Sequence, residues 1–251
     1  MTDRQLTIRN KSFEWGKRTY LMGVLNVTPD SFSDGGDYYT IESALAQAEN
    51  MVKSGVDIID IGGQSTRPGA AEISSSEEMD RVIPLVQILR QKAEIFAAVP
   101  ISVDTTRAQV AQAAVEAGAD IINDISGATF DSEMLSTVAQ LKVPIILMHI
   151  RGTPQTMQKL TDYRDLIGEI REFLESRIAE AVAAGIDKYH IILDPGIGFA
   201  KNYSQNLEIL QQLAKFRVLN CPILVGVHLS LVSKKRLDTF QAPLTCVFLL
   251  V

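Results

Sequence analysis

The chain has little of what several large protein classes require. Only two of its 251 residues are cysteine, Cys221 and Cys246. A lone pair in a chain this long points to reduced thiols and excludes a disulfide scaffold or a cysteine-based zinc site. Histidine is equally sparse, with three copies, too few and too scattered for a His/Cys metal cluster. No apolar run comes near the roughly 18 residues that a membrane helix needs. Met1–Asn10 carries no apolar stretch of a secretory signal, so the expected compartment is the cytoplasm. The net charge of −6 comes without any Lys/Arg-rich stripe, which argues against nucleic acid as a partner. Neither a Gly-x-Ser-x-Gly elbow nor a Walker phosphate loop is present.

What is present is a repeated pattern. Six apolar runs each end in one polar residue: Leu21–Leu25 in Asn26, Ile58–Ile59 in Asp60, Ile101–Val103 in Asp104, Ile121–Ile122 in Asn123, Ile145–Met148 in His149 and Ile191–Leu193 in Asp194. Short β-branched runs of this kind read as parallel strands buried on both faces. Helical periodicity follows most of them, over Ile41–Val52, Thr106–Ala117, Glu133–Leu141, Tyr163–Ala184 and Gln205–Phe216. Thr40 is the expected N-cap of the first helix. Ser75 with Glu78 forms a capping-box pattern ahead of Val82, Leu85 and Leu89. A seventh strand is expected at Ile223–Val227, and a small hairpin at the amino end, with Leu6 and Ile8 on one arm and Phe13 and Trp15 on the other.

Strand–helix alternation fits both an open doubly wound sheet and a barrel. An open sheet would gather its polar residues at one switch point. Here nearly every strand carries one at its carboxyl end, which favours an α/β fold of the (β/α)8 TIM-barrel type with its site on that face. The amino-terminal hairpin would plug the opposite end. With no composition break or Gly/Ser linker, residues 1–227 read as one barrel domain.

Three constellations carry chemistry. Asn26 opens a long loop through Asp30, Gly35 and Gly36, and its amide oxygen could ligate a hard cation such as Mg²⁺. Its plainer reading is an Asx turn. Gly62-Gly63-Gln64-Ser65-Thr66-Arg67-Pro68-Gly69 combines backbone N–H groups, hydroxyls and a guanidinium, a set suited to phosphate or carboxylate. Composition alone equally allows an ordinary Gly/Pro turn. Asp104, Asn123 and Asp194 would rise from the barrel floor toward a flat heterocycle. A carboxylate accepts two N–H bonds from a 2-amino pyrimidinone, and an amide reads its oxygen and nitrogen edge. Asp194-Pro195-Gly196-Ile197-Gly198-Phe199 adds glycines where a ligand could approach, and an aromatic face. His149 and Arg151 could bind an anion or transfer a proton, but no acidic partner for His149 is visible, so its expected role is structural.

At these residues the chain resembles the dihydropteroate synthases, the pterin-binding enzymes of folate synthesis that sulfonamides inhibit. The resemblance rests on Met22-Gly23-Val24-Leu25-Asn26-Val27-Thr28-Pro29-Asp30-Ser31-Phe32-Ser33-Asp34-Gly35-Gly36 and on Asp60 through Gly69, with Gln64 where Glu is more usual. Met148 through Pro154 and Asp194 through Phe199 add to it, and it covers about residues 15 to 227. It implies condensation of 6-hydroxymethyl-7,8-dihydropterin diphosphate with 4-aminobenzoate, giving 7,8-dihydropteroate and pyrophosphate. It also implies Mg²⁺ on Asn26, diphosphate on the first two loops, Thr66 and Arg67 near diphosphate and aminobenzoate, and the pterin on Asp104, Asn123 and Asp194. Asp104, Asp194 and Arg67 are then the expected catalytic residues, and Phe199 a substrate contact.

After Val227 the resemblance breaks. Where the family continues into a Ser-Arg-Lys stretch, this chain has His228-Leu229-Ser230. The family's further helix, its eighth strand with an Arg-x-His anion site and its final helix have no counterpart in residues 228–251. The expectation is a barrel incomplete in its last repeat, with two exposed sheet edges and an atypical tail whose Thr245–Val251 could imitate a strand. The family homodimer, built largely on the final helices, is in question. Two other readings remain: a catalytically impaired pterin-binding remnant, and a pterin-binding methyltransferase, which the first two loops disfavour.

Overall fold

The computed structural model describes residues 5–28, 41–67, 69–227 and the backbone of Val247–Leu250. Thr40, Pro68, most of the first long loop and His228 lie outside the described residues.

The barrel wall is built from short Ile- and Val-rich segments, as the pattern demands. After a hairpin of β1 (Gln5–Ile8) and β2 (Lys11–Glu14) come β3 (Tyr20–Asn26), β4 (Ile58–Gly62), β5 (Ile101–Asp104), β6 (Ile121–Asp124), β7 (Ile145–Met148) and β8 (Ile191–Asp194). These last six pair in parallel, each with the next in sequence. β9 (Leu224–Val227) follows, and Leu193 donates to the Pro222 carbonyl at 2.9 Å just before it, beside a parallel bridge from Leu193 to Ile223. Around the wall lie α1 (Ile41–Lys53), α2 (Ser75–Gln91), the single turn α3 (Ala93–Phe96), α4 (Ala108–Ala117), α5 (Met134–Leu141), α6 (Leu166–Ala183) and α7 (Tyr203–Gln211).

Strand alternation divides the core in two. Ile59, Ile61, Ile101 and Val103 point outward against Val82, Leu85 and Leu89 of α2. Ile122, Ile145, Leu147 and Leu193 do the same against α5 and α6. The alternate residues Met22, Ile58, Ile121, Ile146, Ile192 and Leu224 point inward and meet Leu6, Ile8 and Phe13 of the hairpin. The hairpin is therefore the expected plug at the amino end of the barrel. Phe13 is fully buried, its ring 4.9 Å from Tyr20 and 5.4 Å from Trp15.

Two expectations change. The cap of α2 is Ser74, whose hydroxyl accepts from the Glu77 N–H at 3.1 Å; Ser75 is already helical. The pattern Ser-x-x-Glu occurs in both registers, and Glu78 is needed elsewhere, buried against Arg107. The sheet edges are also not left bare. β10 (Val247–Leu250) lies between β9 and β3, antiparallel to both, with Val247 opposite Gly23 and Val227. It occupies the eighth place in reverse, which satisfies the backbone groups of both edges. It also directs the carboxyl end of that strand to the floor, next to Tyr20.

One carboxylate joins plug to wall. Asp57 accepts from both Arg18 guanidinium nitrogens at 3.0 and 2.8 Å and from the Leu21 N–H at 2.9 Å, and it pairs with Lys11 at 2.6 Å. Burial alone would raise its pKa; the bonds from Arg18 and Lys11 outweigh that and bring it down to about 2. A depressed carboxyl pKa stabilises the fold above the ordinary value of about 3.8, and the benefit is lost as pH falls toward about 2. Urea unfolding of wild type and Asp57→Asn should therefore differ by about 2 kcal/mol at pH 6, and the difference should vanish by about pH 2.

Candidate active site

The parallel register sets the site. Asn26 is level with Gly62, Gly62 with Asp104, and Asp104 with Asn123, so one row crosses four adjacent strands at their carboxyl ends. Asp194 is level with Met148, whereas Ile146, level with Asn123, is opposite Ile192. The stagger of the strands thus lifts Asp194 one inward position above that row. Asp104, Asn123 and Asp194 all stand on the inward face at the carboxyl ends of their strands. Asn123 and Asp194 are buried, and Asp104 is half-buried.

Beneath the row is a residue whose site role the strand pattern left unread. Asp60 points inward one position below Gly62 and is 1% exposed. Its Oδ2 accepts from Asn123 Nδ2 at 3.1 Å, while its Oδ1 has no hydrogen-bond partner among the described residues. This bond orients the Asn123 amide, leaving its carbonyl oxygen for a ligand. Burial raises the pKa of Asp60, opposed by the neighbouring Ser102 hydroxyl and then by the bond from Asn123. Asp104 is pushed well above its ordinary value, first by burial and then by the negative charges of Asp60, Glu78 and Asp124. Crowded acceptors in a dry mouth favour a ligand that brings N–H donors.

A cavity opens beside Asp104. It is lined by Gln64, Ser65 and Thr66 of the second loop, by Thr105, Thr106 and Phe130, and by Thr153 to Gln155. Thr66 faces this cavity; Arg67 does not line it and stands exposed at its lip. The loop's path is fixed from α2. Arg81 Nη1 donates to the Gly63 carbonyl at 2.9 Å, and a Cβ on Gly63 would press on Val82 and Glu78. Glu78 is in turn held by Arg107, which also donates to the Ile73 carbonyl at 2.6 Å. Sequence spacing marked Glu78 only as part of a cap and gave no sign of its pairing with Arg107, because their meeting joins α2 to the start of α4.

The loop after β8, from Asp194 to Phe199, closes the site. Gly196 N–H donates to Asp194 Oδ1 at 2.7 Å. Gly196 has a φ of 71°, and a Cβ there would collide with the His149 carbonyl oxygen. Phe199 is half-buried on a small cluster of Ile125, Met148, Ile150, Met157 and Ala200. His149 is buried, and its Nδ1 lies 3.0 Å from Lys201 Nζ. Burial, then the cations Lys201 and Arg151, depress its pKa to about 2, so it stays neutral and holds structure. Arg151, a candidate anion binder by sequence, is instead paired with Glu169 and stacked 3.7 Å over the Tyr163 ring.

Among the described residues no group of three or more His, Cys, Asp or Glu side chains is arranged to hold a metal. The structure does contain a smaller cradle. Asn26 Oδ1 and Asp104 Oδ2 lie 3.2 and 3.7 Å from the point a Cβ on Gly62 would occupy. Such a donor set fits Mg²⁺ held mainly by ligand phosphates and water, the usual mode for that ion.

Fold and site together define a class: a barrel enzyme that takes up an N–H-rich, flat heterocycle at its strand ends. The chain belongs to the pterin-binding enzyme family, whose model matches residues 22–240. It is 58% identical over 221 residues to a dihydropteroate synthase of Synechocystis sp., which covers 88% of this chain and 75% of that protein. It is also similar to the crystal structure of the Yersinia pestis dihydropteroate synthase with a sulfonamide drug complex. There the TM-score is 0.81 at 43% identity, over 88% of this chain and 78% of that one. The Xanthomonas albilineans dihydropteroate synthase with 4-aminobenzoic acid gives a TM-score of 0.80 at 40% identity, over 90% and 78%. The family match extends 13 residues past Val227, beyond the point where the motif resemblance breaks.

Gly196→Ala forces a left-handed backbone on an L-residue, which costs about 1–2 kcal/mol, before the clash with His149 is counted. Chemical denaturation should show a loss of at least that size.

Proposed function

We infer that this chain is a dihydropteroate synthase, condensing 6-hydroxymethyl-7,8-dihydropterin diphosphate with 4-aminobenzoate to give 7,8-dihydropteroate and pyrophosphate in folate synthesis. The observation that carries the reading is the register row from Asn26 to Asn123. It sets hydrogen-bond acceptors for a pterin beside a donor-rich loop suited to a diphosphate. Family membership and the ligands of the two structural relatives agree with it.

In this reading Asp104 and Asp194 accept the N–H groups of the pterin, and Asn123, oriented by Asp60, reads its oxygen and nitrogen edge. Ser65, Thr66 and the backbone N–H groups of the second loop receive the diphosphate, with Arg67 at the lip as counter-charge for phosphate or for the aminobenzoate carboxylate. Phe199 offers a flat apolar face to the aromatic amine. Asn26 would hold Mg²⁺, which when bound neutralises charge on the departing pyrophosphate. The C–O bond breaks first, giving an exocyclic pterin cation, and the carboxylates around the mouth stabilise that positive charge. The aniline nitrogen then attacks, forming the C–N bond and releasing a proton. No protein nucleophile is required. A sulfonamide would compete with 4-aminobenzoate at the Thr66–Phe199 side.

Residues 1–227 would form the barrel domain with its hairpin, and 228–251 an atypical tail that returns β10 to the wall. Among the described residues no helix is long and apolar enough to cross a membrane. We propose a cytoplasmic protein without a nucleic-acid partner, in which the family's homodimer is in question. The reversed β10 favours a second reading, a pterin binder with impaired turnover, because a strand running the other way delivers no carboxyl-end side chain to the mouth.

The test is pyrophosphate release by the purified full chain given both substrates and Mg²⁺, beside calorimetric pterin binding. Turnover above background supports the synthase, and binding without turnover supports the second reading. Asp104→Ala should weaken pterin binding by roughly 1–3 kcal/mol, since ligand N–H groups would be buried without acceptors. Unchanged affinity would remove Asp104 from the site.

A further inference from the structure

Lys201 is 3% exposed, and burial of a lysine ammonium costs several kcal/mol unless its donors are met. All three N–H directions find acceptors: the Phe199 carbonyl at 2.7 Å, His149 Nδ1 at 3.0 Å and the His149 carbonyl at 3.4 Å. Nζ would lie 3.3 Å from a Cβ on Gly196, the residue whose N–H holds Asp194 Oδ1. One ammonium group therefore fastens the end of β7 to the loop after β8 at Phe199, and packs beside Gly196. The far side of this loop is secured separately, by Gly198 N–H donating to the buried Asn206 Oδ1 at 2.9 Å. An apolar side chain of similar length could fill the space without the burial cost, so the charge itself needs an explanation.

We propose that Lys201 is the positioning residue for the pterin end of this site: clamped beneath Gly196 by Phe199 and His149, its ammonium group sets the Asp194–Phe199 loop and keeps Asp194 available as a carboxylate to receive ligand N–H groups. The charged and titratable groups facing it are Asp194 in its own loop and His149 and Arg151 from the end of β7, with the Tyr163 and Phe173 rings packed 6.1 and 5.0 Å from the imidazole. His149, neutral, can only accept through Nδ1, which puts its proton on Nε2. Arg151 is neutralised by Glu169. Asp194 is thus the anion left to Lys201. Burial raises the Asp194 carboxyl to about 7, opposed first by the Gly196 N–H and then by the Lys201 charge, and burial lowers Lys201 to about 7, opposed by the Asp194 charge. Loss of the cation would remove one of the two groups that hold the Asp194 carboxyl down, leaving the Gly196 N–H alone.

The proposal rests on the pterin-binding reading, so its test begins without ligand. In protein with ¹³C-labelled aspartate carboxyls, Lys201→Met should raise the Asp194 titration by about half a pH unit or more relative to wild type. Pterin affinity of the variant should fall about twofold or more at pH 7 and recover at higher pH, where Asp194 ionises without help. A purely structural lysine would lower affinity equally at every pH. A folded Lys201→Met with an unmoved Asp194 titration overturns the proposal. If that variant does not fold, Asp194→Asn supplies the reciprocal measurement: the Lys201 Nζ titration, followed by ¹⁵N-lysine NMR, should drop when its anion is removed, and no change overturns the proposal. Wild type that fails to bind pterin while these titrations remain coupled would refute the functional reading and leave Lys201 as the residue that sets the charge of Asp194.

Discussion

The register of the parallel wall is the constraint on which the site depends. Hydrogen bonding between β3, β4, β5 and β6 permits only one alignment that keeps Ile59, Ile61, Ile101, Val103 and Ile122 against the helices. A slip by one residue would send those side chains inward and turn Asp60, Asp104 and Asn123 into the helix layer. Apolar packing on the outside therefore fixes polar geometry on the inside. Gly62 shows the same economy: as the inward position between Asn26 and Asp104 it has no side chain, and two oxygens face the space left.

Closely spaced carboxylates at the mouth would repel each other strongly in a dry interior. The structure limits this in three ways. Asn123 takes one oxygen of Asp60, Ser126 holds Asp124 with its N–H at 2.7 Å and hydroxyl at 2.6 Å, and Gly196 with Lys201 serves Asp194. Asp104 has the least such support and stays the most accessible of the group, which is the state expected of a side chain whose hydrogen bonds are to be completed by a ligand.

The reversed β10 separates the needs of folding from those of chemistry. A β-sheet edge asks only for a strand of the right length with free N–H and C=O groups, and either direction supplies them. Antiparallel entry requires no crossover helix. The active face asks for more, since a parallel strand brings its carboxyl end and the loop after it to the mouth. β10 meets the first requirement and not the second, so a closed wall and a complete set of loops are distinct properties of this chain.

Local sequence determined a good deal. Short β-branched runs ending in Asn26, Asp104, Asn123 and Asp194 fixed strand identity and inward direction, because a period of two is written into each strand. α4 ended at Ala117, where its periodicity ended, and Gly118 at φ 116° closes that turn at little cost. Tertiary structure alone decided the rest. Asp60 became a site residue only when β6 brought Asn123 alongside it. Glu78 left its expected cap for Arg107, 29 positions away, and Lys201 reached His149 across 52. Each is a contact between segments distant in sequence, where periodicity and turn chemistry carry no information. The burial that gives those contacts their strength exists only once the barrel has closed.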